Sequence, residues 1–322
     1  TPLFGSGRDF VLDALEKDGF SQVHLVKKQA GFDGKFPGLR KPNPEEPEVF
    51  RIAEREALRE HADLMIATDP DSDRIGAGVI CDSKAFFFTG NQIGALLADF
   101  LSRQGSVKGK IMVTTVVTGD LGSRIVTSRG ATVIHTLTGS KFVCEEMNHM
   151  EAGEFLLGYE ESHGYIGGMH IRDKDGVLAA MLLCETAAWH KTQGKTLLDA
   201  LEDLYQEYGY YIDEQDSFVF EGAKGAKEMQ KIMARLRSRR GSVFAPLGKP
   251  DKILDYEKGV DELPRSNVLK FFFPNGSWVA VRPSGTEPKI KFYYCIRGKD
   301  QRQAQDLYEA VQTSVEEFLR TF

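Results

Sequence analysis

For two thirds of its length the sequence alternates short apolar runs with stretches of helical spacing, and the apolar runs end in polar loops. Such alternation specifies layered α/β folds, which place their chemistry in the loops at strand ends. The pattern opens with a turn, a helix over Arg8–Asp18 and an apolar strand over Val23–Val26. A Pro- and Gly-rich connection leads to a helical stretch, Glu48–His61, and then to strands at Ala62–Thr68 and Ile75–Cys81. From near Phe86 the alternation repeats, with helices over Gly90–Arg103, Gly119–Arg129, Lys141–Met150 and Val177–Lys191 and strands over Lys110–Val117, Ala131–Thr136 and Glu154–Gly158. Past Gly209 the pattern changes to strands joined by an Asn275-Gly276 turn, the signature of an antiparallel hairpin, and closes with a helix over Gln301–Leu319. The expected fold class is α/β, with two mixed-sheet segments, 1–84 and 85–208, followed by an α+β segment, 209–322, built on an antiparallel sheet.

Composition narrows the function classes. The 322 residues carry 41 Lys plus Arg against 47 Asp plus Glu, a net charge of −6 that argues against a general nucleic-acid binder. No apolar run approaches the roughly 18–20 residues that span a bilayer, and no signal-like start is present, so no membrane partner and a cytoplasmic location are expected. The four cysteines lie far apart without a CxxC pair, which suggests neither a disulfide framework nor a thiolate zinc site.

Four loops carry candidate chemistry. In Asp69-Pro70-Asp71-Ser72-Asp73-Arg74, carboxylates at alternate positions can converge on one hard cation, with Mg²⁺ the expected metal and a solvated acidic turn the alternative. An EF-hand is excluded because Arg74 stands where Gly is needed and Ile80 where the closing Glu belongs. Arg74 would offset the negative charge or hold a phosphate oxygen. In the run from Arg282 to Lys289, a guanidinium, the hydroxyls of Ser284 and Thr286 and the amides freed by Gly285 form a cup of donors for a dianionic phosphate, with Lys289 adding charge; the alternative is a solvated hairpin loop. In Gly158-Tyr159-Glu160-Glu161-Ser162-His163-Gly164, Glu160 and Ser162 stand two apart and can face a pair of ligand hydroxyls, the alternative being that Glu160-Glu161 is a common surface pair. Lys141, after Thr138-Gly139-Ser140, can reach a phosphate or end in solvent. Gly5-Ser6-Gly7 leads to Phe10 where a dinucleotide fingerprint needs Gly, which argues against a dinucleotide site.

Together, in this order, the loops resemble those of the α-D-phosphohexomutase superfamily, the phosphoglucomutases and phosphomannomutases. DPDSDR resembles the family's metal loop, GYEES its sugar loop and RPSGTEPKIKFY its phosphate loop, while TPLFGSG resembles its TPLHGTG segment with Phe4 where His is usual. The resemblance implies a Mg²⁺-dependent shuttle: a phosphoserine donates to a hexose phosphate, and a hexose 1,6-bisphosphate forms and turns over. It implies Asp69, Asp71 and Asp73 as metal ligands and Arg74 and Lys141 as catalytic groups. Glu160 and Ser162 would bind sugar hydroxyls, and Arg282, Ser284, Gly285, Thr286 and Lys289 would anchor the phosphate. The three segments then stand as a partial second domain, a third domain and a C-terminal domain.

The departures shape the expectation further. No TASHN-like serine loop occurs here, so the nucleophile and the family's first domain are expected from elsewhere in the same protein, and this chain alone is expected to be inactive. His163 follows Ser162 directly where several relatives have Ser-Gly-His, which argues against a general-base role for it. Hexose phosphates are the expected substrates, glucose favoured and mannose possible. The alternative is a catalytically inactive phosphosugar-binding protein.

Overall fold

The computed structural model describes residues 1–151, 153–284 and 287–322. The chain forms two compact units, Thr1–Asp203 and Leu204–Phe322.

The first unit opens with α1 (Gly7–Lys17) and α2 (Arg51–Glu60), then β1 (Met65–Thr68), β2 (Ile75–Cys81) and β3 (Lys84–Phe88). These strands pair antiparallel in the order β1-β2-β3. The sheet is therefore antiparallel throughout its described strands, where a mixed one is expected from the sequence. The reason lies at Val23–Val26, which forms no strand: Val26 is buried as a single apolar anchor, while Val23 is 40% exposed. β3 is a strand the sequence reading misses, and Phe86, the expected start of the next segment, sits within it.

The remainder of the first unit is an α/β layer: α3 (Gly90–Arg103), β4 (Ile111–Thr115), α4 (Asp120–Ser128), β5 (Thr132–Thr136), α5 (Ser140–Met147), β6 (Phe155–Glu160), β7 (Gly164–Ile166) and α6 (Gly176–Lys191). Its sheet runs β5-β4-β6-β7, with β5, β4 and β6 parallel and β7 antiparallel at the edge. The central strands are buried on both faces, as a sheet sandwiched between helices requires. α3 starts on a capping box in which Thr89 and Gln92 satisfy each other's backbone amides. Its buried Asp99 takes Arg103 at 2.9 Å and also Arg129, fixing the end of α4 to α3.

Helix α7 (Leu197–Tyr208) carries the chain into the second unit, where β8 (Tyr210–Val219), α8 (Gly222–Arg239), β9 (Lys252–Asp255), β10 (Leu269–Phe272), β11 (Trp278–Pro283), β12 (Lys289–Gly298) and α9 (Gln301–Leu319) follow. The sheet is wholly antiparallel, in the order β8-β12-β11-β10-β9. Its core gathers Phe271, Phe292, Val281 and Tyr294 from the strands with Leu236 and Val315 from the helices.

Candidate functional site

The acidic loop is the tip of a hairpin. Thr68 and Ile75 form the last pair of the β1–β2 ladder, so Asp69–Arg74 must turn the chain in six residues. The turn needs Ser72 in left-handed backbone, at φ 60°. The N-terminal segment props it from behind: the Ser6 amide donates to the Pro70 carbonyl at 2.8 Å, and a Cβ at Gly5 would lie 2.2 Å from Pro70 Cα. From the front, the Gly176 amide at the start of α6 donates to the Ser72 carbonyl at 3.0 Å.

This frame brings Asp69, Asp71 and Asp73 together, with one carboxylate oxygen of each within 4.8 Å of the others. Asp69 is 9% exposed, and burial, reinforced by the charges of Asp73 and Asp71, pushes its carboxyl up to about 7 against the pull of the Arg74 amide bonded at 2.9 Å. Asp73 Oδ1 is buried and has no hydrogen-bond partner among the described residues. An oxygen-only donor set with a crowded charge and a buried Asp73 Oδ1 that accepts no hydrogen bond among the described residues, Arg74 Nε standing 3.6 Å from it, fits a hard divalent cation. Arg74 reaches Glu45 at 2.7 Å and stands 3.6 Å from Asp73, so part of its charge is spent on a carboxylate outside the loop.

The sugar-loop residues stand beside it. Glu160 ends β6, and residues 161–163 turn into β7, with Glu160 paired to Gly164. Arg74 and Gly164 form a backbone bridge, and the Ile75 amide donates to the His163 carbonyl at 3.2 Å, so the two loops share backbone. Glu160 is buried and its Oε1 accepts the Gly139 amide at 2.8 Å, which ties in the turn before Lys141. Gly139 occupies φ 123°, a conformation that favours glycine, and places Ser140 and Lys141 in the first turn of α5. Lys141 is exposed, its ammonium 4.7 Å from the Phe142 ring centroid. Ser162 is half-buried at the hairpin turn.

His163 is buried in left-handed backbone at φ 64°, its Nδ1 bonded to the Ile75 carbonyl at 2.9 Å. Burial holds its pKa below the usual range, so the ring is a neutral strut between the loops.

One residue went unnoticed in the sequence. Lys174 Nζ lies 2.6 Å from Asp73 Oδ2, and its stem lies where a Cβ at Gly164 would be, 2.3 Å from Lys174 Cδ. Its signal was the dense run Arg172-Asp173-Lys174-Asp175-Gly176 before an apolar helix, in which Asp175 caps α6.

The phosphate-loop residues belong to the second unit, between β11 and β12. Arg282, the penultimate residue of β11, is half-buried, with Nε lacking a hydrogen-bond partner among the described residues. The Ser284 amide donates to the Lys289 carbonyl at 2.8 Å, and Ser284 Oγ accepts the Glu287 amide at 3.2 Å. Lys289 pairs with Glu287 at 2.6 Å, which offsets the charge the sequence reading gave it. Gly285 and Thr286 lie outside the described residues.

A layered α/β unit that carries a carboxylate cluster beside a β-hairpin, followed by a unit built on an antiparallel sheet, is the class of α/β fold the chain defines. The comparisons place the chain within it. Domain II of phosphoglucomutase/phosphomannomutase matches residues 1–81, the alpha/beta/alpha domain III matches 89–208 and the C-terminal domain matches 217–313. The chain belongs to the phosphoglucomutase/phosphomannomutase family. It is 35% identical over 326 residues to a phosphoglucomutase of Staphylococcus haemolyticus, covering 97% of this chain and 59% of that protein. A phosphoglucomutase of Staphylococcus epidermidis is also 35% identical, over 92% of this chain and 56% of its own length. The chain thus spans well under two thirds of these relatives. A phosphoglucomutase/phosphomannomutase family protein from Burkholderia thailandensis shares the fold at TM-score 0.69 and 17% identity, over 98% of this chain and 59% of that one. Parafusin from Paramecium, in an open form, gives 0.65 at 22% identity, over 93% and 55%. Among the described residues no helix is long and apolar enough to cross a membrane.

Proposed function

We propose that this chain carries the metal, sugar and phosphate loops of a phosphohexomutase that interconverts hexose 1-phosphate and hexose 6-phosphate through a phosphoserine and a hexose 1,6-bisphosphate. The observation that carries the reading is the Asp69, Asp71 and Asp73 cluster, joined backbone to backbone with the Glu160–Gly164 hairpin. Glucose is the favoured sugar, supported by the phosphoglucomutase relatives, and mannose a second one, since both present O3 and O4 alike to Glu160 and Ser162. The segments 1–84, 85–208 and 209–322 are its partial second, third and fourth domains. The nucleophilic serine belongs to a first domain of the same protein, so these residues alone do not turn over. The location is cytoplasmic, with no nucleic-acid or membrane partner.

Asp69, Asp71 and Asp73 would hold Mg²⁺, which when bound supplies charge neutralisation to the transferring phosphoryl group. Arg74, half-buried beside them, adds a fixed guanidinium on the same side. Lys174 sets its Nζ 2.6 Å from Asp73, within a site that also contains the sugar-facing groups. Glu160 keeps Oε2 for a sugar hydroxyl while Gly139 fixes Oε1, and Ser162 offers a second contact at the turn. Lys141 meets a phosphate in one substrate orientation. Arg282, Ser284, Gly285, Thr286 and Lys289 anchor the phosphate that is not being transferred. A substrate that reacts at both ends needs this separation of reacting and anchoring sites.

Calorimetric titration of the chain with glucose 1-phosphate and mannose 1-phosphate, with and without Mg²⁺, tests the reading. Binding strengthened by Mg²⁺ and lost in Arg282→Ala is expected. No binding by the folded wild-type chain, or binding indifferent to both changes, would overturn it.

A further inference from the structure

Six arginines are half-buried among the described residues: Arg8, Arg74, Arg129, Arg237, Arg282 and Arg297. A guanidinium withdrawn from water needs a counter-charge or a set of acceptors. Four of them have one, in Asp9, Glu45, Asp99 and Asp255. Arg282 and Arg297 pair with no carboxylate among the described residues. Arg282 is accounted for by the phosphate loop. Arg297 stands at the other end of β12: Lys291 is the cross-strand partner of Arg282, and six further residues of strand put Arg297 about 20 Å away.

Arg297 opens onto a cleft of the second unit that Lys299 also lines, with Pro246, Leu247 and Leu307 as an apolar floor. Its Nη2 donates to the Tyr208 carbonyl at 3.3 Å and its Cζ stands 6.0 Å from the Tyr211 ring centroid, contacts that aim the group without neutralising it. Gly209 leaves room for it: a Cβ there would lie 2.9 Å from Arg297 Nε. Glu207 is the carboxylate of the lining, so the local balance is two cations against one acid, which suits one dianionic group rather than a polyanion. Gln206, Asn275 and Gln303 also line the cleft, Asn275 donating to the Arg297 carbonyl and Gln303 Oε1 accepting the Lys299 amide, while Pro246, Leu247 and Leu307 give an apolar body a surface to pack on.

We infer that this cleft is a second anion site, separate from the phosphate loop, and that it takes a phosphate monoester on an apolar body through Arg297 and Lys299. The inference does not depend on the mutase reading. It is tested by calorimetry with phenyl phosphate on the Arg282→Gln chain, which removes the guanidinium of the other loop. One binding site should remain, weakened about tenfold by adding Arg297→Gln and severalfold by adding Lys299→Gln. Lys299 is exposed, so its variant folds irrespective of what Arg297 does for stability. Inorganic phosphate should bind more weakly than phenyl phosphate. Absence of binding in the Arg282→Gln chain, or binding that survives both added substitutions, would overturn the inference, and equal affinity for the two phosphates would overturn the role of the apolar floor.

Discussion

At Asp73 the proposed metal would share its carboxylate with a lysine. Lys174 Nζ stands 2.6 Å from Oδ2, and a metal held by the three aspartates would draw on the same charge. Replacing the ammonium while keeping the stem over Gly164, as Lys174→Met does, should therefore tighten Mg²⁺ by several-fold, read by calorimetric metal titration; unchanged or weaker binding would show that the lysine organises the site instead. Asp71→Asn removes a ligand and should weaken the same titration by tenfold or more. His163 makes the pH argument. Its folded pKa lies below the unfolded value near 6.5, so the unfolded chain binds more protons in between, and stability present above that value is lost as pH falls through the window. Asp69, with its carboxyl held up to about 7, acts in the opposite direction over the same range, so the His163 contribution is read as the difference between variant and wild-type melts, which should be constant above about pH 7. His163→Asn accepts left-handed backbone and can donate to the Ile75 carbonyl, so its melting temperature relative to wild type should rise as pH falls below about 6.5; a difference that does not change with pH would acquit His163. The aspartates were readable from the sequence because alternate acids at a strand exit have few other uses. Lys174 was not, because most lysines end in solvent and only the fold shows this one 13% exposed against Asp73.

The elements around the loop act as props whose tightness is measurable. Gly5→Ala forces a Cβ to within 2.2 Å of Pro70 Cα, backbone against backbone, so the β1–β2 turn must shift. The expected cost is about 2–3 kcal/mol with weakened Mg²⁺ binding, whereas Gly34→Ala, with open space around it, should do neither. Denaturant melts and metal titration of the pair would check this, and equal behaviour would remove the propping role. The helices were legible because their apolar positions recur and their ends are marked: α3, α6 and α9 lie within about two residues of expectation. Short strands were less so. β9 is four residues at a sheet edge and owes its existence to pairing with β10, which no local pattern announces. Val23–Val26 has the reverse history: it reads as a strand, yet forms none, because a burial anchor and a strand share one apolar vocabulary.

The chain as a whole forms two compact units, and its proposed ligands divide between them: the carboxylate cluster falls in Thr1–Asp203, the phosphate loop in Leu204–Phe322. A ligand stabilises only the cooperative unit that binds it, by RT ln(1 + [L]/Kd), about 2.7 kcal/mol at a hundredfold excess over Kd. For units of this size that is an upward shift on the order of 5–10 °C. Differential scanning calorimetry should therefore resolve two transitions, one raised by Mg²⁺ and the other by phosphate. Gly5→Ala labels them independently, since it strains only the first unit and should lower only the Mg²⁺-responsive transition. A single transition raised by both ligands and lowered by Gly5→Ala would mean that the units unfold as one, and that the division by compactness is not a division in cooperativity.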